Sequence, residues 1–161
     1  MGTHFDGTEE ERQALDAYIK LMRASGAVNN RLFPALQSKS GVTSSQLAVL
    51  EALWHLGPMK QCALAGKLLL SASNLTTVLD NLERDGLVRR DRDRDDRRVS
   101  ITSITPSGEQ RLAGFFPQHV QRLVRAMAGL DACELQQLGH LCRKLGVAAA
   151  ADAEAQRLQK A

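Results

Sequence analysis

The sequence predicts a mainly α-helical protein that carries one small β-hairpin. Three observations point there. First, the chain is rich in Leu and Ala, while aromatics make up only 4% of its 161 residues; strands draw on aromatic and β-branched side chains, helices on Leu and Ala. Second, apolar residues recur at helical spacing between capping signals, with Ser, Thr or Asp before each run and Gly after it. Third, a single β-branched stretch, Val99 to Thr105, alternates as a strand does, directly after a run of ten charged residues, Arg89 to Arg98. The length fits one domain of ordinary size, or a small domain with added helices. At 43% hydrophobic and 24% charged, the chain can bury a core without a disulfide or metal staple.

The elements follow in order. From about Thr8 to Ser38, Leu15, Ile19, Met22, Leu32, Phe33 and Leu36 keep helical spacing. Pro34 is expected to bend or break this helix near its end, and Gly41 opens a connection. Thr43-Ser44-Ser45-Gln46 has the capping-box pattern before Leu47, Leu50, Leu53 and Trp54, and Gly57-Pro58 stops that helix. A short helix over about 60–69 places Leu64, Ala65 and Leu68 on one face. Ser71-Ala72-Ser73 breaks it and caps the next, in which Leu75, Val78, Leu79 and Leu82 form a buried stripe and Gly86 marks the end. Leu87-Val88 then leads into the charge run, and the 99–105 strand returns from it as a hairpin. Thr105-Pro106 caps a helix carrying Leu112, Phe115, Phe116, Val120, Leu123, Val124 and Met127, which Pro117 is expected to kink. Asp131 to Glu134 resembles a second capping box, followed by the narrow stripe Leu135, Leu138, Leu141 and Leu145. Beyond Gly146 the chain turns Ala-rich and then polar, and either extends the helix or frays.

Much chemistry is excluded. No apolar run reaches the roughly 18–20 residues of a membrane span. Met1 to Glu11 is polar and acidic, unlike a signal peptide, so a cytoplasmic protein is expected. Three Cys (Cys62, Cys133, Cys142) show no pairing pattern and fit a reducing compartment. Together with four His they never reach metal-ligand spacing. Phosphate-binding glycine loops and the serine-nucleophile elbow are missing too. No cofactor, metal or catalytic group is expected.

Three short helices followed by a charged hairpin describe a winged helix-turn-helix, whose last helix enters the DNA major groove while the hairpin tracks the backbone or minor groove. Asp96-Arg97-Arg98 through Ile104-Thr105 resembles the DxRxxxxxLT signature of the MarR family, with Ile in place of Leu. Ser73 through Arg90, SNLTTVLDNLERDGLVRR, is similar to that family's recognition helix and first wing strand. The resemblance extends over about residues 10–147. It implies a homodimer built by long flanking helices, and the chain divides accordingly. Residues 8–40 form an N-terminal dimerisation helix, 41–105 the winged helix-turn-helix, 106–147 C-terminal dimerisation helices, and 148–161 an Ala-rich tail.

On the helix after Ser71, Ser73, Thr77, Asp80 and Arg84 face away from the leucine stripe, flanked by Asn74 and Asn81. Ser73, Asn74, Thr76, Thr77 and Asn81 are the candidate DNA contacts of this helix; short polar side chains suit base edges and phosphates. Thr77 and Asn81 stand where many relatives have a basic residue, which argues against direct Arg readout from the helix. Asp80 would be repelled by phosphate and is expected to hold a nearby Arg, such as one from the wing. The wing run holds six Arg and four Asp, a net of only +2. Arg fits phosphates and narrow grooves better than Lys. Arg94 is the first candidate for the tip contact, with Arg92, Arg97 and Arg98 beside it. By resemblance, Asp96 and Arg98 position the wing through mutual pairing. Asp93 and Asp95 should weaken non-specific affinity and leave binding strongly salt-dependent.

The resemblance further implies a small aromatic or phenolic ligand between dimerisation helices and DNA-binding region. Met22, Asn30, Trp54, His55, Phe115, Phe116 and His119 are the candidate lining. Phe116-Pro117-Gln118-His119 is similar to an FPxH segment of a MarR subgroup that includes quinone-responsive repressors. The first helix lacks the Cys that some members use to sense oxidants. The three Cys read as small core residues, with Cys142, beside Arg143 and Lys144, the one redox candidate. The reading is a dimeric, operator-binding regulator of double-stranded DNA, a repressor relieved by a small effector, with no membrane partner. Two alternatives stand against it: a thiol-based redox-sensing regulator, and a winged-helix protein-interaction module without DNA binding.

Overall fold

The structure, a computed structural model, describes residues 5–93 and 96–158. Its first helix, α1 (Glu9–Ser40), starts at a full capping box, in which the Thr8 hydroxyl accepts from Glu11 N at 3.2 Å and Glu11 accepts from Thr8 N at 2.8 Å. The expected break at Pro34 does not occur, and α1 runs through it to Gly41. An interior proline costs about 3 kcal/mol, but Leu32 and Leu36, on either side, are both buried and hold the helix against the domain. Gly41 closes the helix at φ 67°, a left-handed conformation that a side chain would strain.

Helix α2 (Ser44–Leu56) has the predicted Thr43/Gln46 capping box. After Gly57 comes a two-residue strand, β1 (Met59–Lys60), which the sequence did not announce. Helices α3 (Gln61–Leu68) and α4 (Ala72–Arg84) form the helix-turn-helix. Ser71, not Ser73, is the α4 cap. The turn between the two helices passes through Leu69 at φ 53°, a left-handed position without glycine. Strands β2 (Val88–Arg92) and β3 (Ser100–Ile104) make the hairpin, and β1 adds to the far side of β3, giving the antiparallel order β1-β3-β2. Val88 pairs with Ile104 and Arg92 with Ser100.

Helix α5 (Pro106–Ala126) continues as one element through Pro117, and α6 (Ala132–Leu158) continues through the Ala-rich stretch rather than fraying after Gly146. Asp131 and Glu134 exchange the two capping bonds, each at 2.9 Å. The core gathers Leu36, Leu50, Leu53, Leu64, Leu75, Leu79, Leu82 and Leu112 from α1 to α5. At Gly108 the start of α5 presses on the wing base, where an added Cβ would stand 2.1 Å from the Leu87 carbonyl oxygen. No single helix among the described residues is long and apolar enough to cross a membrane.

Candidate nucleic-acid interface

The leucine stripe dictates which face of α4 is free. Leu75, Leu79 and Leu82 are fully buried and Val78 is partly so. Ser73, Asn74, Thr76, Thr77, Asp80 and Arg84 are therefore exposed, and Asn81 is half-buried. The hydroxyl of Ser71 caps Asn74 N at 3.3 Å and lies 3.2 Å from that of Ser73. Thr77 donates to Ser73 O at 3.2 Å, which leaves its oxygen free to accept. Thr76 donates to Ala72 O at 2.9 Å and accepts from Gln61 Nε2 at 3.0 Å, so its hydroxyl is engaged on both sides. Gln61 escaped the sequence reading. It begins α3 at the edge where a first helix crosses the DNA backbone, and only the three-dimensional approach of α3 to α4 reveals it.

In the wing, most described arginines are already engaged. Arg89 lies 3.1 Å from Asp91 and donates to Ser103 Oγ at 3.1 Å. Arg98 donates to Asp96 from its backbone N at 3.0 Å and from Nε at 3.2 Å. That hydrogen bonding holds the Asp96 carboxyl below the usual Asp range, and it is the pairing expected of a wing-positioning couple. The turn closes through Val99 N to Asp96 O at 2.9 Å and Asp93 N to Val99 O at 2.9 Å. Arg92 and Arg97 are exposed and make no ion pair among the described residues. Arg94, the first tip candidate, and Asp95 lie outside the described residues.

The expectation for Asp80 is met by Arg90. Its Nη2 is 2.7 Å from Asp80 Oδ1. The same guanidinium donates twice to Glu83, from Nε at 2.9 Å and from Nη2, and Arg90 N donates to Glu83 Oε1 at 3.1 Å. Glu83 was not foreseen, although it stands one turn after Asp80, the spacing at which two helical side chains share a partner. Hydrogen bonding to Arg90 holds the Glu83 carboxyl below its ordinary range. Between these elements lies a cleft of about 570 Å³ whose lining includes Gln61, Arg92, Arg97 and Arg98.

The ligand candidates separate into two groups. Trp54, His55, Phe116 and His119 form one cluster, with ring centroids 4.9 Å apart for Trp54 and His55, 5.7 Å for Trp54 and Phe116, and 6.5 Å for Phe116 stacked on His119. His119 is buried, its Nδ1 has no hydrogen-bond partner among the described residues, and burial pushes its imidazole pKa down. Met22 and Asn30 are exposed on α1 and make no hydrogen bond to the cluster among the described residues. Phe115 packs toward the core and lines a different, more polar cleft of about 680 Å³ with Lys39 and Arg111.

The cysteine reading is corrected. Cys62, Cys133 and Cys142 are all exposed rather than small core residues. Apolar neighbours one helical turn away do bury a side chain, but only where another element covers that face. No group of three or more His, Cys, Asp or Glu among the described residues could hold a metal.

A helix-turn-helix with an antiparallel wing, its outer helix polar and its wing arginine-rich, defines the winged helix-turn-helix class. Comparisons narrow it. Residues 42–100 match the model of the MarR family. The chain is 34% identical over 139 residues to YkoM of Bacillus subtilis, an uncharacterized HTH-type transcriptional regulator, covering 86% of this chain and 90% of that one. It is 32% identical to MdtR of the same organism, an HTH-type transcriptional repressor, over 71% of this chain and 74% of that one. The solved structure of Sco3205, a MarR family regulator from Streptomyces coelicolor in complex with DNA, superposes with a TM-score of 0.76 at 22% identity, over 88% and 89% of the two chains. The chain belongs to the MarR family. It is a DNA-binding transcriptional regulator, and the relatives it matches are regulators rather than enzymes.

Proposed function

We propose that the protein is a dimeric repressor that occupies a pseudo-palindromic operator and is released by a small amphiphilic ligand, phenolic or quinone-like in character. The observation that carries this reading is the single polar surface formed by α4 and the wing. On it, Ser73, Asn74, Thr76, Thr77 and Asn81 meet the major groove, and Arg92, Arg97 and Arg98 meet the backbone and minor groove; Arg94, outside the described residues, joins them by its place in the sequence run alone. Repression is supported by the likeness to MdtR, which is named a repressor. Dimerisation is supported by the apolar side chains left uncovered on α1, α5 and α6, among them Tyr18, Val124, Leu141 and Leu145. The ring cluster at Trp54, His55, Phe116 and His119 supports the ligand, because its half-exposed aromatic faces suit an amphiphile. The cytoplasm is the compartment in which such a protein works.

Selection of bound duplexes from a genomic pool tests the reading and gives the half-site spacing. Two half-sites about one helical turn apart are expected. Binding no tighter than to random duplex at moderate salt would sink it. A second reading, thiol-based sensing, is favoured by the exposure of Cys142 and its two companions. DNA release by peroxide in wild type but not in Cys142→Ser would establish it.

A further inference from the structure

We propose that Arg90 is a positioning residue for DNA recognition, one that locks the wing to the recognition helix so that the two meet the duplex as a single rigid surface. This rests on the DNA-binding reading above. Arg90 sits on β2, and its partners sit on α4. Its fork spans Asp80 and Glu83, and its own backbone N–H adds a further bond to Glu83. The Arg90 side chain is 24% exposed and Glu83 38%, so their bonds form in a partly shielded seam where water competes less, while Asp80, 55% exposed, stands at its open edge. A planar guanidinium donating to two carboxylates fixes angle as well as distance, which a lysine cannot do.

The arrangement also answers an electrostatic problem on α4. Asp80 stands one turn beyond Thr77, on the face that meets phosphate, and Glu83 lies near the negative end of the helix dipole. Unpaired, both would repel DNA and oppose the helix end. Arg90 compensates them and in doing so ties down the strand that carries Arg92, two residues along. Arg90 therefore acts through the carboxylates and not on the duplex.

Two variants separate this role from a direct phosphate contact. R90Q removes the cation, whereas the D80N/E83Q pair removes the partners and leaves the cation free. Positioning predicts that both lose affinity for the selected duplex, by at least about tenfold, while binding to random duplex changes less. A direct contact predicts opposite signs, with R90Q weaker and D80N/E83Q tighter. R90K, which keeps the charge but not the fork, should fall between wild type and R90Q. The second arm needs no DNA: amide hydrogen exchange in free, folded protein should quicken in β2 and β3 for both variants. Unchanged exchange there, or tighter binding by D80N/E83Q, overturns the proposal. Should R90Q fail to fold, D80N/E83Q and the single D80N, at an exposed carboxylate, decide it alone. Failure of wild type to bind any duplex would sink the DNA reading, while the exchange arm would still report on the lock.

Discussion

The leucines of the winged lobe and those of the flanking helices live in opposite environments. Leu50, Leu64, Leu75, Leu79 and Leu82 are all 0% exposed, yet Leu141 is 60%, Leu145 55% and Val124 64% exposed. The two sets belong to similar amphipathic patterns, so chemistry does not separate them; the presence of a covering element does. The lobe draws on the last turns of α1, on α2 to α4, on the sheet and on the first half of α5, and it closes its own core. Helix α6 has no buried side chain through residue 152. Most of a protein helix's stability comes from the packing of its apolar face, and this one has little of it. The difference teaches that the chain holds one closed core and, on α5 and α6, apolar side chains left outside it.

The comparison breaks most sharply at the closed core. Leu79→Ala should cost about 2–5 kcal/mol, because the site is fully packed and collapses poorly; urea denaturation at constant protein concentration reads it. On the exposed apolar face of α6 the expected loss, under the proposed dimer, lies in assembly. Leu141→Glu with Leu145→Glu should turn a dimer into a monomer in sedimentation velocity while the lobe keeps its structure by circular dichroism. A dimer unaffected by both changes would place the interface elsewhere. Smaller effects fall on the wing. Arg92→Ala and Arg97→Ala should each lower the slope of log affinity against log salt by about 1, and fluorescence anisotropy between low and moderate salt measures it.

The smallest effects are those of pH. The Glu83 carboxyl is held below its ordinary value of 4.5 by hydrogen bonding to Arg90. Its contribution to stability is complete above that pH and is lost as pH falls through the lower folded value. Burial holds the His119 imidazole below its ordinary 6.5. That contribution is likewise complete above 6.5 and declines as pH falls toward the folded value, since the unfolded chain takes up the proton first. Denaturation midpoints across pH should show both steps, the upper one absent in His119→Phe and the lower one reduced in Glu83→Gln.

Features written in local chemistry were legible in the sequence. The Thr43/Gln46 cap, the Leu75 to Leu82 stripe and the left-handed Gly86 each depend on residues within one or two turns, so their spacing is enough. Strand β1 is too short to carry a pattern and exists because the edge of β3 recruits it. Pro34 misled because its local penalty was visible while the burial of Leu32 and Leu36 was not. Cys133 and Cys142 misled for the opposite reason, since they lie on α6, a helix with no buried side chain through residue 152. At the interface, the pairing of Asp96 with Arg98 was expected from the family resemblance and is present. Arg90 was visible only as one arginine among six in the run, because its choice of Asp80 and Glu83 depends on how β2 lies against α4.

The base of the wing is fastened on two sides. Arg90 ties β2 to α4, and at the other strand Thr105 donates from N to Leu87 O at 3.0 Å and from its hydroxyl to Gly86 O at 2.7 Å, while accepting from Gly108 N at 3.0 Å. The consequence is entropic. Fixing one residue's backbone costs about 1–2 kcal/mol, and for the ten residues of β2 and β3 that cost is met when the chain folds. Contacts made by these strands then add to affinity without an ordering penalty on association. A wing fastened at neither point would have to spend part of each phosphate contact on its own immobilisation.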